Sequence, residues 1–329
     1  MTHARTFTAL ALLCAATLAA LAPADAYAAY AAPIAINRPG WAQTAPWDVN
    51  DSGQVVGGNN SADFSVGTGF LLTNGVYTSI APAGAAYSGA TGISNSGLIV
   101  GYYFDDPNAG ASRGFLFENG VYTDFTLAGA SDVTLRRVSS DGRYLAGTFT
   151  DLSGFHGFVF DRQTQARTVI DSAGASAIVV QGVSVQGQVV GSTLGRGRHA
   201  FVYDLNTHTE TPYLSTDAGA SPRFRDINDN GLITGFDGPS GLAFVGRAGD
   251  WTFLDLPAGQ ASMLGYGLNN AGTVVGWTSD ADGLASGFLA QPAPVPEPAP
   301  ALLLAFGLAA AALVSRRKPL QARASQTQR

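Results

Sequence analysis

Six repeats of about 44 residues, each with four short strand-like runs, predict an all-β fold, a six-bladed β-propeller. Three observations carry this: a turn landmark with a fixed period, a phenylalanine landmark with nearly the same period, and an orphan strand in front of the array. The turn landmark is Asn50-Asp51-Ser52-Gly53 leading into Gln54-Val55-Val56-Gly57. Its counterparts have first glycines Gly97, Gly142, Gly187, Gly231 and Gly272, spaced 44, 45, 45, 44 and 41. Each is followed by a second glycine: Gly101, Gly147, Gly191, Gly235 or Gly276. The second landmark is Phe70, Phe115, Phe158, Phe201, Phe244 and Phe288, spaced 45, 43, 43, 43 and 44.

Four strands follow in order within a unit. Strand a ends on an apolar residue just before the turn, such as Ile93 or Ile227. The turn supplies Asn, Asp and Gly where positive φ is needed. Strand b is the Val-Val-Gly run. Strand c opens at the repeat phenylalanine, as in Phe115-Leu116-Phe117. Asn74-Gly75 and Asn119-Gly120 make tight turns into strand d, which is Val76-Tyr77-Thr78-Ser79-Ile80 in the first copy. β-Branched and aromatic residues fill these runs, as strands prefer.

The ends of the array decide between a ring and an open stack. The sixth unit lacks strand d, because Phe288-Leu289-Ala290 runs straight into a Pro-rich stretch. An orphan strand, Pro33-Ile34-Ala35-Ile36, precedes the first unit. Ile80 to Ile93, Phe125 to Val138, Ile170 to Val183, and Leu214 to Ile227 are each 13 residues apart, and so are Ile36 and Val49. The orphan strand therefore stands where a strand d belongs and is expected to complete the sixth blade. That would remove the open edges of the array. A β-solenoid is the alternative, but it gives no reason for the match.

Composition agrees with a globular, turn-rich chain. Apolar residues make up 46% of the 329, aromatic residues 10% and charged residues only 13%, with 41 glycines and no period of three. The one cysteine, Cys14, lies in the apolar N-terminal stretch, where Leu13 stands at the position lipoprotein processing needs small. With that stretch removed, a disulfide framework and a catalytic cysteine are both excluded. Six of the 18 basic residues but only one of the 24 acidic ones lie in the terminal segments. With the core taken to end at Pro298, it holds 12 positive and 23 negative charges, a net of −11. Such a surface repels nucleic acid and anionic lipid and remains compatible with neutral glycans or cations.

The two ends read as addresses. Residues 1–26 have a short basic start, an apolar run from Thr8 to Ala22 and a small-x-small cleavage pattern at Ala24 and Ala26. This predicts a secretory signal peptide, the apolar run being shorter than the roughly 20 residues of a span. The repeat domain is expected over 33–291. Residues 292–329 hold a Pro-rich linker with Val295-Pro296-Glu297-Pro298, an apolar helix-forming run from Ala299 to Val314, and the basic cluster Arg316-Arg317-Lys318. That order predicts a membrane anchor, a transmembrane helix whose cationic end is cytoplasmic.

Together these three C-terminal elements resemble the PEP-CTERM sorting signal. The resemblance covers about 25 residues. It implies a substrate of exosortase, a processing enzyme of the membrane, exported to the cell surface or beyond in a Gram-negative bacterium that makes exopolysaccharide. The eleven residues after Lys318 are longer than that family's usual tail. The repeats resemble the extracellular HAF repeat, named for a His-Ala-Phe triplet. His199-Ala200-Phe201 matches, His156-Gly157-Phe158 and Arg113-Gly114-Phe115 come near, and Thr68, Leu242 and Ser286 depart at the first position. This implies a secreted repeat protein and carries over no catalytic residues.

Candidate sites are few. His156 and His199 share one repeat position, which is structural recurrence rather than a dyad, and His208 lies in a c–d turn. Asp63, Asp105-Asp106 and Asp280-x-Asp282 lie in b–c connections. Close carboxylates suit Ca²⁺ or acid/base work, but neither acidic pair has calcium-loop spacing, and Asn228-Asp229-Asn230-Gly231 is the turn of every repeat. Trp41, Trp47, Trp251 and Trp277 suit sugar stacking or core packing. From second glycine to phenylalanine the gaps are 13, 14, 11, 10, 9 and 12. Variable loops on a rigid scaffold are where binding resides, so Asp105, Asp106, Arg113, Asp280 and Asp282 are the expected binding face. No catalytic residues, metal ligands or cofactor are assigned. The expectation is a non-enzymatic binding or structural module meeting exopolysaccharide or surface proteins. The alternative is a secreted glycan-active lyase or hydrolase on a propeller scaffold.

Overall fold

The computed structural model describes residues 29–106, 110–171, 177–195, 198–213, 221–247 and 249–293. The expected signal peptide, with its cleavage positions Ala24 and Ala26, lies outside them. So do Val295, Pro296, Glu297, Pro298, Arg316, Arg317 and Lys318 of the expected sorting motif. No described helix is long and apolar enough to cross a membrane.

Regular structure among the described residues is all β-strand. The strands are β1 (Ile34–Ile36), β2 (Gln43–Val49), β3 (Val55–Asn60), β4 (Gly67–Thr73), β5 (Val76–Ile80), β6 (Tyr87–Ile93), β7 (Ile99–Phe104) and β8 (Arg113–Glu118). Next come β9 (Val121–Phe125), β10 (Asp132–Val138), β11 (Tyr144–Asp151), β12 (Gly154–Asp161), β13 (Ala166–Ile170), β14 (Ala177–Val183), β15 (Gln188–Leu194) and β16 (Ala200–Asp204). The last are β17 (Thr209–Tyr213), β18 (Pro222–Ile227), β19 (Ile233–Asp237), β20 (Ala243–Arg247), β21 (Asp250–Phe253), β22 (Ser262–Leu268), β23 (Val274–Ser279) and β24 (Ala285–Ala290).

Consecutive strands pair antiparallel into four-stranded sheets, a β-propeller arrangement. Strands β10–β13, β14–β17 and β18–β21 each make one sheet. A fourth has the order β1-β24-β23-β22, in which the front strand lies against the last one, Ile34 opposite Leu289 and Ile36 opposite Gly287. Strands β2–β5 and β6–β9 are joined into one eight-stranded sheet by a single parallel bridge between Gly67 and Tyr87. The Tyr87 ring covers Gly67 where a Cβ would stand, so the two backbones meet there.

The two repeat landmarks are one contact. Each second glycine lies directly opposite its repeat phenylalanine across strands b and c, as Gly57 opposite Phe70, Gly101 opposite Phe115 and Gly191 opposite Phe201. A Cβ on Gly101 would collide with the carbonyl of Gly89 and come within 2.6 Å of the Phe115 ring. The missing side chain lets the ring lie flat on the ladder and turns it into the space between sheets. All six phenylalanines are at most 2% exposed.

The core lies between neighbouring sheets. Leu98, Val100 and Phe125 pack with Leu135, Leu145 and Phe158 of the next sheet. Val49, Val55 and Phe70 pack with Val275 of the last repeat, with Leu289 against them. The first turn glycines all have positive φ, between 74° and 87°, and each donates its N–H to the carbonyl three residues before it, as Gly97 to Ser94.

Candidate functional site

The inner strands β2, β6, β10, β14, β18 and β22 each carry one β-bulge. A bulge leaves one residue unpaired and re-aims its side chain. The bulged residues are Trp47, Thr91, Arg136, Gln181, Arg225 and Tyr266, and all six line one cavity of about 170 Å³. Six equivalent backbone positions thus supply six different side chains to one place.

The floor of this cavity is the next residue of each strand. These read Asp48, Gly92, Arg137, Gly182, Asp226 and Gly267, a charged residue alternating with glycine. Arg137 crosses the middle, its Nη1 2.7 Å from Asp48 Oδ1 and its Nε 3.2 Å from Asp226 Oδ1. It also donates to the carbonyls of Trp47 and Tyr266, at 3.2 and 2.8 Å. The glycines make the room: a Cβ on Gly182 would stand 2.9 Å from Asp226 Oδ1, and one on Gly92 3.0 Å from Arg137 Cα. Each aspartate also straps its strand to the next, Asp48 accepting from Ile93 N–H and Asp226 from Leu268 N–H, at 2.8 and 2.9 Å.

Two carboxylates share one guanidinium here, fully buried. Burial pushes the Asp226 carboxyl up to about 8, with the charge of Asp48 adding to the shift and Arg137 opposing it. Burial likewise raises Asp48 against the pull of Arg137. Burial thus favours the protonated form of these carboxyls and Arg137 the ionised form.

Beyond this floor the repeat turns knit together. Asn270 donates from Nδ2 to Asp51 and Asp229, at 2.9 and 2.8 Å. Asn95 donates to Asp51, and Ser140 Oγ to Asp229. Asn269 Nδ2 reaches the carbonyl of Asn50, 219 residues away in sequence. The space on this side is only about 30 Å³, so the axis is nearly stopped at the turn end and open at the other.

The open end is basic. Burial and the nearby charge of Arg225 lower the pKa of Arg136, and Arg223 is lowered by burial and by Arg198 and Arg225. Arg225 stacks on Tyr266 and Phe236, its guanidinium carbon 4.7 and 5.2 Å from the ring centroids. Trp47 stacks on Tyr102, and Tyr266 on Trp277, at centroid distances of 6.3 and 6.2 Å. Burial pushes the Tyr102 hydroxyl far above its usual range.

The residues expected at the b–c face fall into different roles. Asp105 and Arg113 form an exposed ion pair at 3.1 Å, with Asp124 4.0 Å from the same guanidinium. Asp106 is exposed beside them. Asp280 accepts from the N–H groups of Asp282 and Leu284, at 3.0 Å each, and so shapes its own loop, while Asp282 stays exposed. Asp63 does the same with Ser61 and Ser65, whose hydroxyls hold its carboxyl at about 2. His156 bridges Asp151 and Asp171, at 3.3 and 2.9 Å, and His199 meets Glu210 at 3.0 Å. Trp251 packs on Phe224 and Phe244. Among the described residues no group of three His, Cys, Asp or Glu side chains is placed to hold a metal ion.

The axial cavity was not among the expected sites. Its signal is the position two before the last apolar residue of strand a, where residue type changes freely while the flanking repeat stays constant.

No protein-family model matches the chain, and no curated protein matches it. Solved structures similar to it include TolB from Acinetobacter baumannii, at 13% identity and a TM-score of 0.49, over 73% of this chain and 64% of that one. The chain thus spans less than two thirds of TolB. The β-propeller domain of the trilobed protease from Pyrococcus furiosus is similar at 12% identity and a TM-score of 0.48, over 78% of this chain and 100% of that one. Streptogramin B lyase is similar at 12% identity and a TM-score of 0.45, over 78% and 96%.

Proposed function

We propose that the chain is an exported binding module of the cell surface or extracellular matrix that holds its ligand without transforming it. The observation that carries this is the chemistry of the axial cavity. Its polar lining is guanidinium, amide and hydroxyl groups, which bind ligands but move protons poorly at neutral pH. A tyrosine base needs a lowered pKa, and burial moves Tyr102 the other way. The two axial carboxylates, Asp48 and Asp226, are engaged by Arg137 and by backbone N–H groups.

The scaffold in this reading is six blades closed into a ring. The bulge in every inner strand, the pairing of β1 with β24 and the bond from Asn269 to Asn50 support it. The shared core of Phe70 and Val275 does so too. The termini support a route of export: a signal peptide over 1–26, a domain over 33–291, and a PEP-CTERM-like tail processed by exosortase. Exopolysaccharide outside such a cell is the proposed ligand. Asp105, Asp106, Arg113, Asp280 and Asp282 of the variable b–c loops are proposed as further contacts of that ligand.

A glycan-active lyase or hydrolase is the second reading, favoured by tyrosines and arginines sharing one cavity. Co-sedimentation of the protein with exopolysaccharide from the producing cell separates the two, together with release of new reducing or unsaturated ends. Sedimentation without new ends is the expected result. New ends would replace the binding module by the enzyme, and failure to sediment would move the partner to a surface protein.

A further inference from the structure

We propose that the axial cavity is a site for an acidic saccharide, a single sugar ring bearing a carboxylate. The inference deepens the reading of a glycan-binding module and rests on it. It starts from a cost. Arg136 and Arg225 are half-buried at one cavity, and among the described residues no carboxylate lies within ion-pair distance of either. The Nε of each is buried without a hydrogen-bond partner, and the charge of Arg225 opposes that of Arg136.

Buried like charges with unmade hydrogen bonds destabilise a fold, and such costs persist where function needs them. The two aspartates of the floor are taken up by Arg137, and no carboxylate lines the cavity beside Arg136 and Arg225. The missing counter-charge is therefore expected from a ligand.

The geometry narrows its kind. The Tyr266 and Phe236 rings hold the Arg225 guanidinium by cation–π contact, which uses none of its N–H donors and leaves them for a planar carboxylate. Trp47, Tyr102 and Tyr266 line the same cavity, and an indole N–H and two phenol hydroxyls suit the hydroxyls of a sugar ring. Gln181 adds an amide able to donate to one hydroxyl and accept from another. A volume of about 170 Å³ is room for one sugar ring, so the chain of a polymer would enter by an end or a side branch. The charges of Arg198 and Arg223 add to that of Arg225 in an otherwise acidic domain, a local positive field that favours an anion.

The test is titration calorimetry of the full-length protein with glucuronate, galacturonate, glucose and inorganic phosphate at low salt. Arg136→Gln, Arg225→Gln and Arg136→Lys are titrated in parallel. The expected result is uronate binding, glucose at least about tenfold weaker, and a loss of about tenfold or more in each glutamine variant, with partial retention in the lysine variant. Thermal midpoints of the glutamine variants should equal or exceed that of the parent, because a repulsion has been removed. That separates lost binding from lost folding. Equal binding of glucose, or unchanged binding in both glutamine variants, overturns the site. Phosphate binding as tightly as uronate overturns the saccharide and leaves an anion site. If no uronate binds while the protein still sediments with exopolysaccharide, this inference falls and the glycan-binding module stands. If neither binds, both fall.

Discussion

The smallest unit of this fold is a glycine beneath a phenylalanine. Gly101 has no room for a side chain, since the Gly89 carbonyl and the Phe115 ring occupy it. Gly53 has open space but a φ of +77°. Gly101→Ala should therefore cost more than about 3 kcal/mol, as backbone must move, and Gly53→Ala only about 1–2 kcal/mol of left-handed strain. Urea unfolding of both variants checks the order, and equal costs would contradict the account of the signature. A second residue-scale prediction concerns the proton at the axis. Asp226 titrates near 8 when folded against 3.8 as its ordinary value. The folded state binds the additional proton between those limits, so stability falls as pH rises. This group's contribution is complete below about pH 4 and is lost on approach to 8. Thermal midpoints should drop between pH 5 and 8, and Asp226→Asn should flatten the drop. His156, raised mainly by its bond to Asp171, shifts the same way and remains in the variant, so the difference between the two profiles belongs to the axis. A profile unchanged by Asp226→Asn would remove the proton from the floor.

Among the elements, β1 has the least structure of its own and a decisive position. Its three residues include Ile34 at 62% exposure and Ile36 at 8%. Without it β24 would present an open edge, and unpaired edges invite other strands. Tyr30 extends the clasp by donating its hydroxyl to the Gly272 carbonyl at 2.7 Å, and Ala31 N–H donates to the Gln291 carbonyl at 2.9 Å. Ile36→Asp should destabilise by about 3 kcal/mol, since it buries a charge and removes an apolar contact. A chain lacking residues 29–37 should unfold earlier and self-associate, as read by thermal scans and light scattering. A monomer of unchanged midpoint would show that the β22–β24 sheet needs no fourth strand.

At the scale of the whole molecule, the question is whether the ends of the array hold one another. Repeat arrays with open ends fray and lose two-state behaviour as they lengthen. Here Asn269 and Asn270 bond to Asn50 and Asp51, and Val275 packs with Phe70. Calorimetric and van't Hoff enthalpies should agree for the intact domain. Hydrogen exchange of inner-strand amides should be equally slow in the first and last repeats. Fast exchange confined to the terminal repeats would mark an open array. The same scale governs charge: the domain is acidic in sum and basic at one mouth, and only assembly puts Arg136, Arg198, Arg223 and Arg225 near one another.

Local patterns were enough to place the repeats, the strand order within a unit, the turn glycines and the front strand opposite the last. Each depends on near neighbours or on a period, and both are written along the chain. The pairing of Ile36 with the last repeat followed from one conserved offset. The acidic residues of the b–c loops were visible for the same reason, yet several bond within their own loops, as Asp280 does. The axial cavity was not legible. Its six bulged residues stand 41 to 45 apart in sequence, outside any motif, and look like ordinary strand positions. Only the tertiary structure, by turning six bulges towards one axis, brought two arginines without carboxylate partners beside three aromatic rings. A strand's period sets which way a side chain points, and the packing of sheets alone decides what it meets there.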